Sequence, residues 1–240
     1  MAAPHVAALP FRLGGFGALV VDPPWHFDDQ AGRMRLGYST MTDAEILALP
    51  VDTLAPPGRD SHLYLWTTDA HLELALACMR RWGYGFRRTI VWVKTTQAPE
   101  DQRALAADLA DTLTADMADG FAERHIRKAA KTLRWLAKTV GQLRIVGGHY
   151  VRGAHELCLF GTRGLTGLER DVPSVFFAPH PKDERGRIIH SAKPDRLYEI
   201  AERISPGPRI ELFARRRRAG WEAWGNQAPE APAAETTEAT

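Results

Sequence analysis

The stretch Ala18-Leu19-Val20-Val21-Asp22-Pro23-Pro24-Trp25 decides how this 240-residue chain is read. Four consecutive apolar residues read as a buried strand. The tetrapeptide then sits where that strand leaves its sheet, and in open α/β sheets ligands bind in the crevice outside the carboxyl ends of the strands. Proline fixes its own φ and has no N–H. It also pushes the preceding residue towards extended geometry, so Asp22 and Pro23 are both expected extended. With two donors missing, the nearby carbonyls are expected to stay unpaired. The segment thus reads as a stiff ledge of acceptors, the Asp22 carboxylate and a backbone C=O, suited to a flat group bearing an NH2. Trp25 can wall that group or stack on it, and such stacking is worth about 1–3 kcal/mol per base. A strand end with an Asp-Pro turn and a core tryptophan accounts for the same letters, so the rest of the chain must decide.

Outward from this stretch, strand-like runs fall at 17–21, 61–66, 89–94, 156–161, 174–177 and 209–214. Helix-like runs fall at 42–49, 69–82 and 193–204. Thr42 and Glu45 have the spacing of a capping box, and Gly83 follows Trp82 as a stop signal. Alternating strands and helices predict an α/β sheet with helices on both faces.

Residues 100–141 break the rhythm. Leu105, Leu109, Leu113 and Met117 form one helical stripe, and after Gly120 a second runs through Ile126, Ala130, Leu133, Ala137 and Val140. The segment reads as an inserted helical hairpin. Residues 100–119 hold six acidic residues and one basic, whereas 120–140 hold six basic and one acidic, so the two arms can balance each other. A solvated, charge-matched hairpin is one reading. An arm that contacts nucleic-acid phosphates through Lys128, Lys131 and Arg134 is the other.

Net charge is +2, and 45% of the residues are hydrophobic, which suits one domain with a full core. Residues 1–10 read as an extension, 11–227 as the domain and 228–240, rich in Ala, Pro, Glu and Thr, as a disordered tail. The tail holds Glu230, Glu235 and Glu238 and no basic residue, so the remainder is more basic than the whole. No signal peptide or membrane span is evident. Cys78 and Cys158 form no CxxC pair, which points to a reducing, cytoplasmic setting. His155-Glu156 is followed by Leu159 rather than the second histidine of an HExxH motif, so no metal is expected. These two residues are read instead as lining a pocket or steadying loops.

Three later segments carry chemistry. His190-Ser191-Ala192-Lys193-Pro194 precedes a helical run, with Ser191 as the expected N-cap. Lys193 in the first turn would add a point charge to a helix N-terminus that already favours anions. Glu211-Leu212-Phe213-Ala214-Arg215 reads as a strand with a charged exit. Arg215, Asn226 and Gln227 offer hydrogen bonds to sugar hydroxyls. The run Arg215–Arg218 is either solvated or, with Arg216, Arg217 and Arg218, set against a nucleic-acid backbone.

In order, Asp22–Trp25, Tyr38-Ser39-Thr40-Met41-Thr42, Leu65-Trp66, Trp92-Val93-Lys94, His190–Pro194, Glu211–Arg215 and Trp224–Gln227 closely resemble the adenine N6-methyltransferase family that includes the catalytic subunit of the eukaryotic mRNA methyltransferase. The resemblance covers residues 16–227, apart from the insert. It implies a Rossmann-like sheet and an enzyme that uses S-adenosylmethionine. It implies that Asp22, Pro23, Pro24 and Trp25 hold the target amine and that Tyr38 closes the base pocket, with His155 and Glu156 nearby. It implies that Lys193 binds the cofactor carboxylate and that Arg215, Asn226 and Gln227 bind its ribose, with Asp22 and Glu211 also facing the cofactor. The family holds the cofactor adenine with an acidic residue ahead of the first strand, where this chain has Pro4, His5 and Val6. The expected partner is nucleic acid, with DNA favoured over RNA because no zinc finger or large target-recognition domain is present. A companion subunit or a homodimer is compatible with this. A non-catalytic nucleic-acid-binding subunit is the rival reading, against which stand an intact tetrapeptide and Lys193.

Overall fold

The computed structural model describes residues 8–26, 39–96, 143–144, 152–164, 172–189 and 191–228. Its strands are β1 (Ala18–Val21), β2 (Ser61–Thr67), β3 (Gly85–Thr95), β4 (His155–Arg163), β5 (Val175–Pro179), β6 (Arg209–Leu212) and β7 (Trp221–Trp224). Its helices are α1 (Asp43–Leu47), α2 (Leu72–Arg81) and α3 (Asp195–Ile204). The strands hydrogen-bond in the order β5-β3-β4-β2-β1-β6-β7, which is the Rossmann-like α/β sheet expected. The chain divides into two compact units: Met1–Thr89 with Cys158–Val172 and Ala201–Thr240, and Ile90–Leu157 with Pro173–Ile200.

In the first unit β1 runs parallel to β2 on one side and to β6 on the other, and β6 runs parallel to β7. All of β1 and β2 is buried, as continuous apolar runs in parallel sheets require. The polar residues of β2 are satisfied internally. The Ser205 hydroxyl lies 2.9 Å from His62 Nδ1 and 2.6 Å from the Tyr64 hydroxyl, and Ser61 lies 3.0 Å from Tyr84. Burial pushes the Tyr64 and Tyr84 phenols up, so both stay protonated. The core packs Phe16, Leu19, Val21, Leu63 and Leu65 against Ala75, Cys78 and Met79 of α2. Thr42 caps α1 through the reciprocal bonds of a capping box. Gly83, at φ 78°, ends α2 where a side chain would collide with the Arg163 guanidinium.

In the second unit β3 and β5 are parallel, with Val91 opposite Val175 and Lys94 opposite Ala178. Two expectations change. Residues 221–224 form an edge strand that is not among the strand-like runs expected from the sequence. The helix after His190 begins at Asp195, not at Lys193, and Ser191 is not its cap: it adopts a left-handed φ of 59°. Pro194 lies just before the helix, a position that suits a residue without an N–H. The insert 100–141, the extension to residue 7 and the tail from 229 lie outside the described residues. Among the described residues no helix is long and apolar enough to cross a membrane.

Candidate active site

The parallel registers of the first unit bring several strand ends level. Val21 pairs with Leu65 and with Leu212, and Leu212 pairs with Trp224. Asp22, Phe213 and Gly225 therefore leave the sheet at one end, the carboxyl end where such sheets bind ligands. Asp22 is half-buried there, and Pro23 is buried.

The expectation of unpaired carbonyls is corrected. The Pro23 carbonyl accepts the Trp25 N–H at 2.8 Å, and the Pro24 carbonyl accepts the Met41 N–H at 3.0 Å. The prolines remove donors only at their own positions, so the next free N–H and one from the returning chain fill the gap. Each carbonyl keeps a second lone pair. Trp25 is also pinned. It is 5% exposed, its indole N–H donates to the Trp66 carbonyl at 3.2 Å, and its ring stacks on His71 with centroids 5.2 Å apart at 21°. It is a fixed wall of this strand end rather than a freely offered stacking surface.

At the neighbouring exits the Ala214 N–H donates to the Trp224 carbonyl at 2.9 Å. Gly225 lies so close that a Cβ there would meet the Phe213 Cα at 2.8 Å, and its φ of 149° excludes other residues as well. This contact holds the turn carrying Arg215 beside the one carrying Asn226 and Gln227. Arg215 is half-buried, while Asn226 and Gln227 are exposed. Glu211 is 9% exposed inside β6, between Val20 and Ala223. Arg216 and Arg217 are exposed and Arg218 is half-buried. Tyr38, Lys128, Lys131 and Arg134 lie outside the described residues.

The second unit carries a separate charged cluster. Glu156 receives Lys94 Nζ at 2.7 Å on one carboxylate oxygen and Lys193 Nζ at 2.8 Å on the other. The three side chains are 17%, 7% and 12% exposed. Burial would raise the Glu156 pKa, but Lys193 and then Lys94 outweigh it and bring it to about 2. Glu156 is therefore an anion shared by two ammoniums. Lys94 also lies over the Trp92 ring at 5.4 Å, and the Trp92 indole donates to the Ala178 carbonyl at 2.8 Å. His180 meets the Trp92 ring edge-on at 4.9 Å. Neither of its buried ring nitrogens has a partner among the described residues. Burial, with Lys94 and Arg144 next, lowers its pKa to about 4, so it is neutral at pH 7.

His155 and Glu156, both read from the sequence as lining a pocket or steadying loops, have different surroundings. Successive residues of a strand point to opposite faces. His155 borders a groove with Val91, Val93, Leu143, Ala154 and Leu157, whereas Glu156 joins the lysines. Lys94 escaped the candidate residues, although a lysine closing the otherwise apolar run Ile90–Val93 was the signal for it. His71 gave no sequence signal.

Fold and strand-end geometry are those of a Rossmann-like methyltransferase sheet. The sequence profile of the MT-A70 family matches residues 16–115 and 126–227, and the chain belongs to that family. It is 31% identical over 218 residues to a putative N(6)-adenosine-methyltransferase MT-A70-like protein of Medicago truncatula, covering 90% of this chain and 27% of the relative. It is 30% identical over 223 residues to the human N(6)-adenosine-methyltransferase catalytic subunit METTL3, covering 90% and 28%. It is 31% identical over 98 residues to the N6-adenosine-methyltransferase non-catalytic subunit MTB of Arabidopsis thaliana, covering 39% and 12%. The chain thus spans about a quarter of the length of the first two relatives.

Proposed function

We propose that this protein transfers the methyl group of S-adenosylmethionine to the N6 amine of adenine in nucleic acid. The observation that carries the reading is Asp22-Pro23-Pro24-Trp25 at the carboxyl end of β1, with parallel neighbours on both sides, in a chain of the MT-A70 family.

The residues present suit the cofactor. Two ammoniums share one carboxylate in this cluster, and Lys193 is the one assigned to the cofactor carboxylate. Arg215, Asn226 and Gln227 stand together at adjoining strand exits with access to solvent, as partners for ribose hydroxyls need. When bound, S-adenosylmethionine supplies an electrophilic methyl on a sulfonium. The chain's own task is to ready the amine, whose lone pair is delocalised into the adenine ring. The Asp22 carboxylate accepts one N–H, and the Pro23 carbonyl accepts the other on its remaining lone pair. Two acceptors in fixed positions turn the nitrogen lone pair out of the ring plane. Asp22 also places negative charge beside the nitrogen as positive charge develops on it. A paired base must leave its stack to reach such a ledge, at a cost of a few kcal/mol, so unpaired adenines are the easier substrates.

For the acceptor, the names of the relatives specify adenosine, the ribonucleoside, which supports RNA over the DNA preference expected from the sequence. Arg216, Arg217 and Arg218 are assigned to its backbone. The intact tetrapeptide favours a catalytic role over that of a companion subunit such as MTB, and pairing with a companion fits the same reading. Two buried cysteines, Cys78 and Cys158, suit a reducing cytoplasmic setting. The test is label transfer from methyl-labelled S-adenosylmethionine to sequence-matched RNA and DNA oligonucleotides, followed by nucleoside analysis. Labelled N6-methyladenosine from RNA is expected. Label in DNA alone would overturn the RNA preference, and label in neither would overturn the activity.

A further inference from the structure

We propose that His71 is the positioning residue of the Asp22–Trp25 ledge: one face of its imidazole and its Nε2 hold Trp25 and His26, while Nδ1 ties the ring to Thr68. The inference rests on the functional reading above only for its kinetic consequence. His71 closes the single 3-10 turn Asp69–His71 between β2 and α2 and is 9% exposed. Contacts to three described residues meet on its ring. The Trp25 indole stacks on its face at 5.2 Å. Nε2 lies 2.7 Å from the His26 carbonyl, and Nδ1 lies 2.9 Å from the Thr68 hydroxyl. A carbonyl only accepts, so Nε2 carries the proton and donates it. In the neutral ring Nδ1 then accepts the Thr68 hydroxyl proton.

The result is a clamp on two consecutive residues, the ring of Trp25 and the carbonyl of His26. The Trp25 indole also donates to the Trp66 carbonyl, so the ring is tied to the end of β2 at its edge and across its face. The Trp25 N–H in turn engages the Pro23 carbonyl, so any tilt of residue 25 is passed to the ledge. The prolines stiffen the ledge internally but cannot set its angle to the sheet. His71 sets that angle.

The test combines kinetics with fluorine NMR of protein labelled with 5-fluorotryptophan, the Trp25 signal being assigned by its loss in Trp25→Phe. In His71→Ala, kcat for methyl transfer is expected to fall on the order of 10-fold to 100-fold, the scale of a small misplacement of reacting groups. The Kd for S-adenosylmethionine should not change, and the Trp25 resonance should shift and broaden. His71→Phe restores a ring to stack on, and His71→Gln restores a donor for the His26 carbonyl. Each should recover part of the lost kcat. Wild-type kcat, or an unmoved Trp25 resonance, in His71→Ala overturns the proposal. If His71→Ala does not fold, wild-type kcat in both of the other variants does so. Absence of methyl transfer in the unmutated protein defeats the methyltransferase reading alone, because the Trp25 resonance reports on the clamp without turnover.

Discussion

The Asp22–His26 segment and the Lys94–Glu156–Lys193 cluster are held in place by opposite means. Two prolines, a stacked imidazole and bonds from neutral donors fix the first. The second is fixed by one buried carboxylate shared between two ammoniums. The contrast follows the task each region is given. A group that must meet a reacting nitrogen at a set angle needs stiffness, and short neutral bonds give it without competing charge. A group that must attract an anionic ligand needs positive charge, and two ammoniums held by one carboxylate present it. The placement of the first region should therefore respond to changes of shape, and that of the second to changes of charge.

The sharpest break comes at the ledge itself. Asp22→Ala removes the charged acceptor while leaving the prolines and the Trp25–His71 stack in place. Methyl transfer should fall on the order of 10³-fold, as when one preorganised electrostatic group is lost. Binding of S-adenosylmethionine should weaken only in part. Single-turnover rates and calorimetric binding measure the two separately. Full turnover by the variant removes Asp22 from the mechanism.

At the cluster the same kind of deletion should be felt in stability. Glu156→Gln leaves the Lys94 and Lys193 ammoniums buried without their anion, and breaking a buried ion pair from one side typically costs about 3–5 kcal/mol. Urea unfolding reads this directly. An unchanged midpoint would mean that the lysines turn to solvent and that the cluster has no structural hold. The partner charges keep Glu156 ionised down to about pH 2. Its contribution is complete above the unfolded carboxylate's ordinary pKa and is lost only as pH falls from there towards 2, well outside the working range.

The sequence showed the ledge more clearly than it showed the cluster, and the reason is distance along the chain. An apolar run followed by Asp-Pro-Pro-Trp is local, so its strand and its exit can be read from neighbouring letters. The capping box of Thr42 and Glu45 is local in the same way. The donor from Met41 to Pro24, the ring of His71 under Trp25 and the bond from Lys94 to Glu156 join residues that only the fold brings together. The edge strand β7 was missed because its four residues, Trp-Glu-Ala-Trp, gain strand geometry from pairing with β6 rather than from their own pattern. Ser191 was misplaced as a cap because its letter suits that position, whereas Pro194 makes a later helix start easier.

The subtlest contrast concerns His180, whose ring nitrogens have no hydrogen-bond partner among the described residues, whereas both of those of His71 do. Its pKa lies at about 4 in the folded chain, against 6.5 for the ordinary imidazole, first because of burial and then because of Lys94 and Arg144. Between these values the unfolded chain binds a proton that the folded chain refuses. Stability must therefore rise with pH across that window, and acidification must erode it. Other carboxylates and histidines also shape the full profile, so the difference between two proteins isolates this one group. His180→Phe keeps an aromatic edge against Trp92 and removes the titration. Urea midpoints compared at about pH 7 and about pH 5 should fall less on acidification in the variant than in the unmutated chain. Equal falls would show that His180 takes up its proton in the folded state, with its nitrogens reaching water and the cluster's field screened from it.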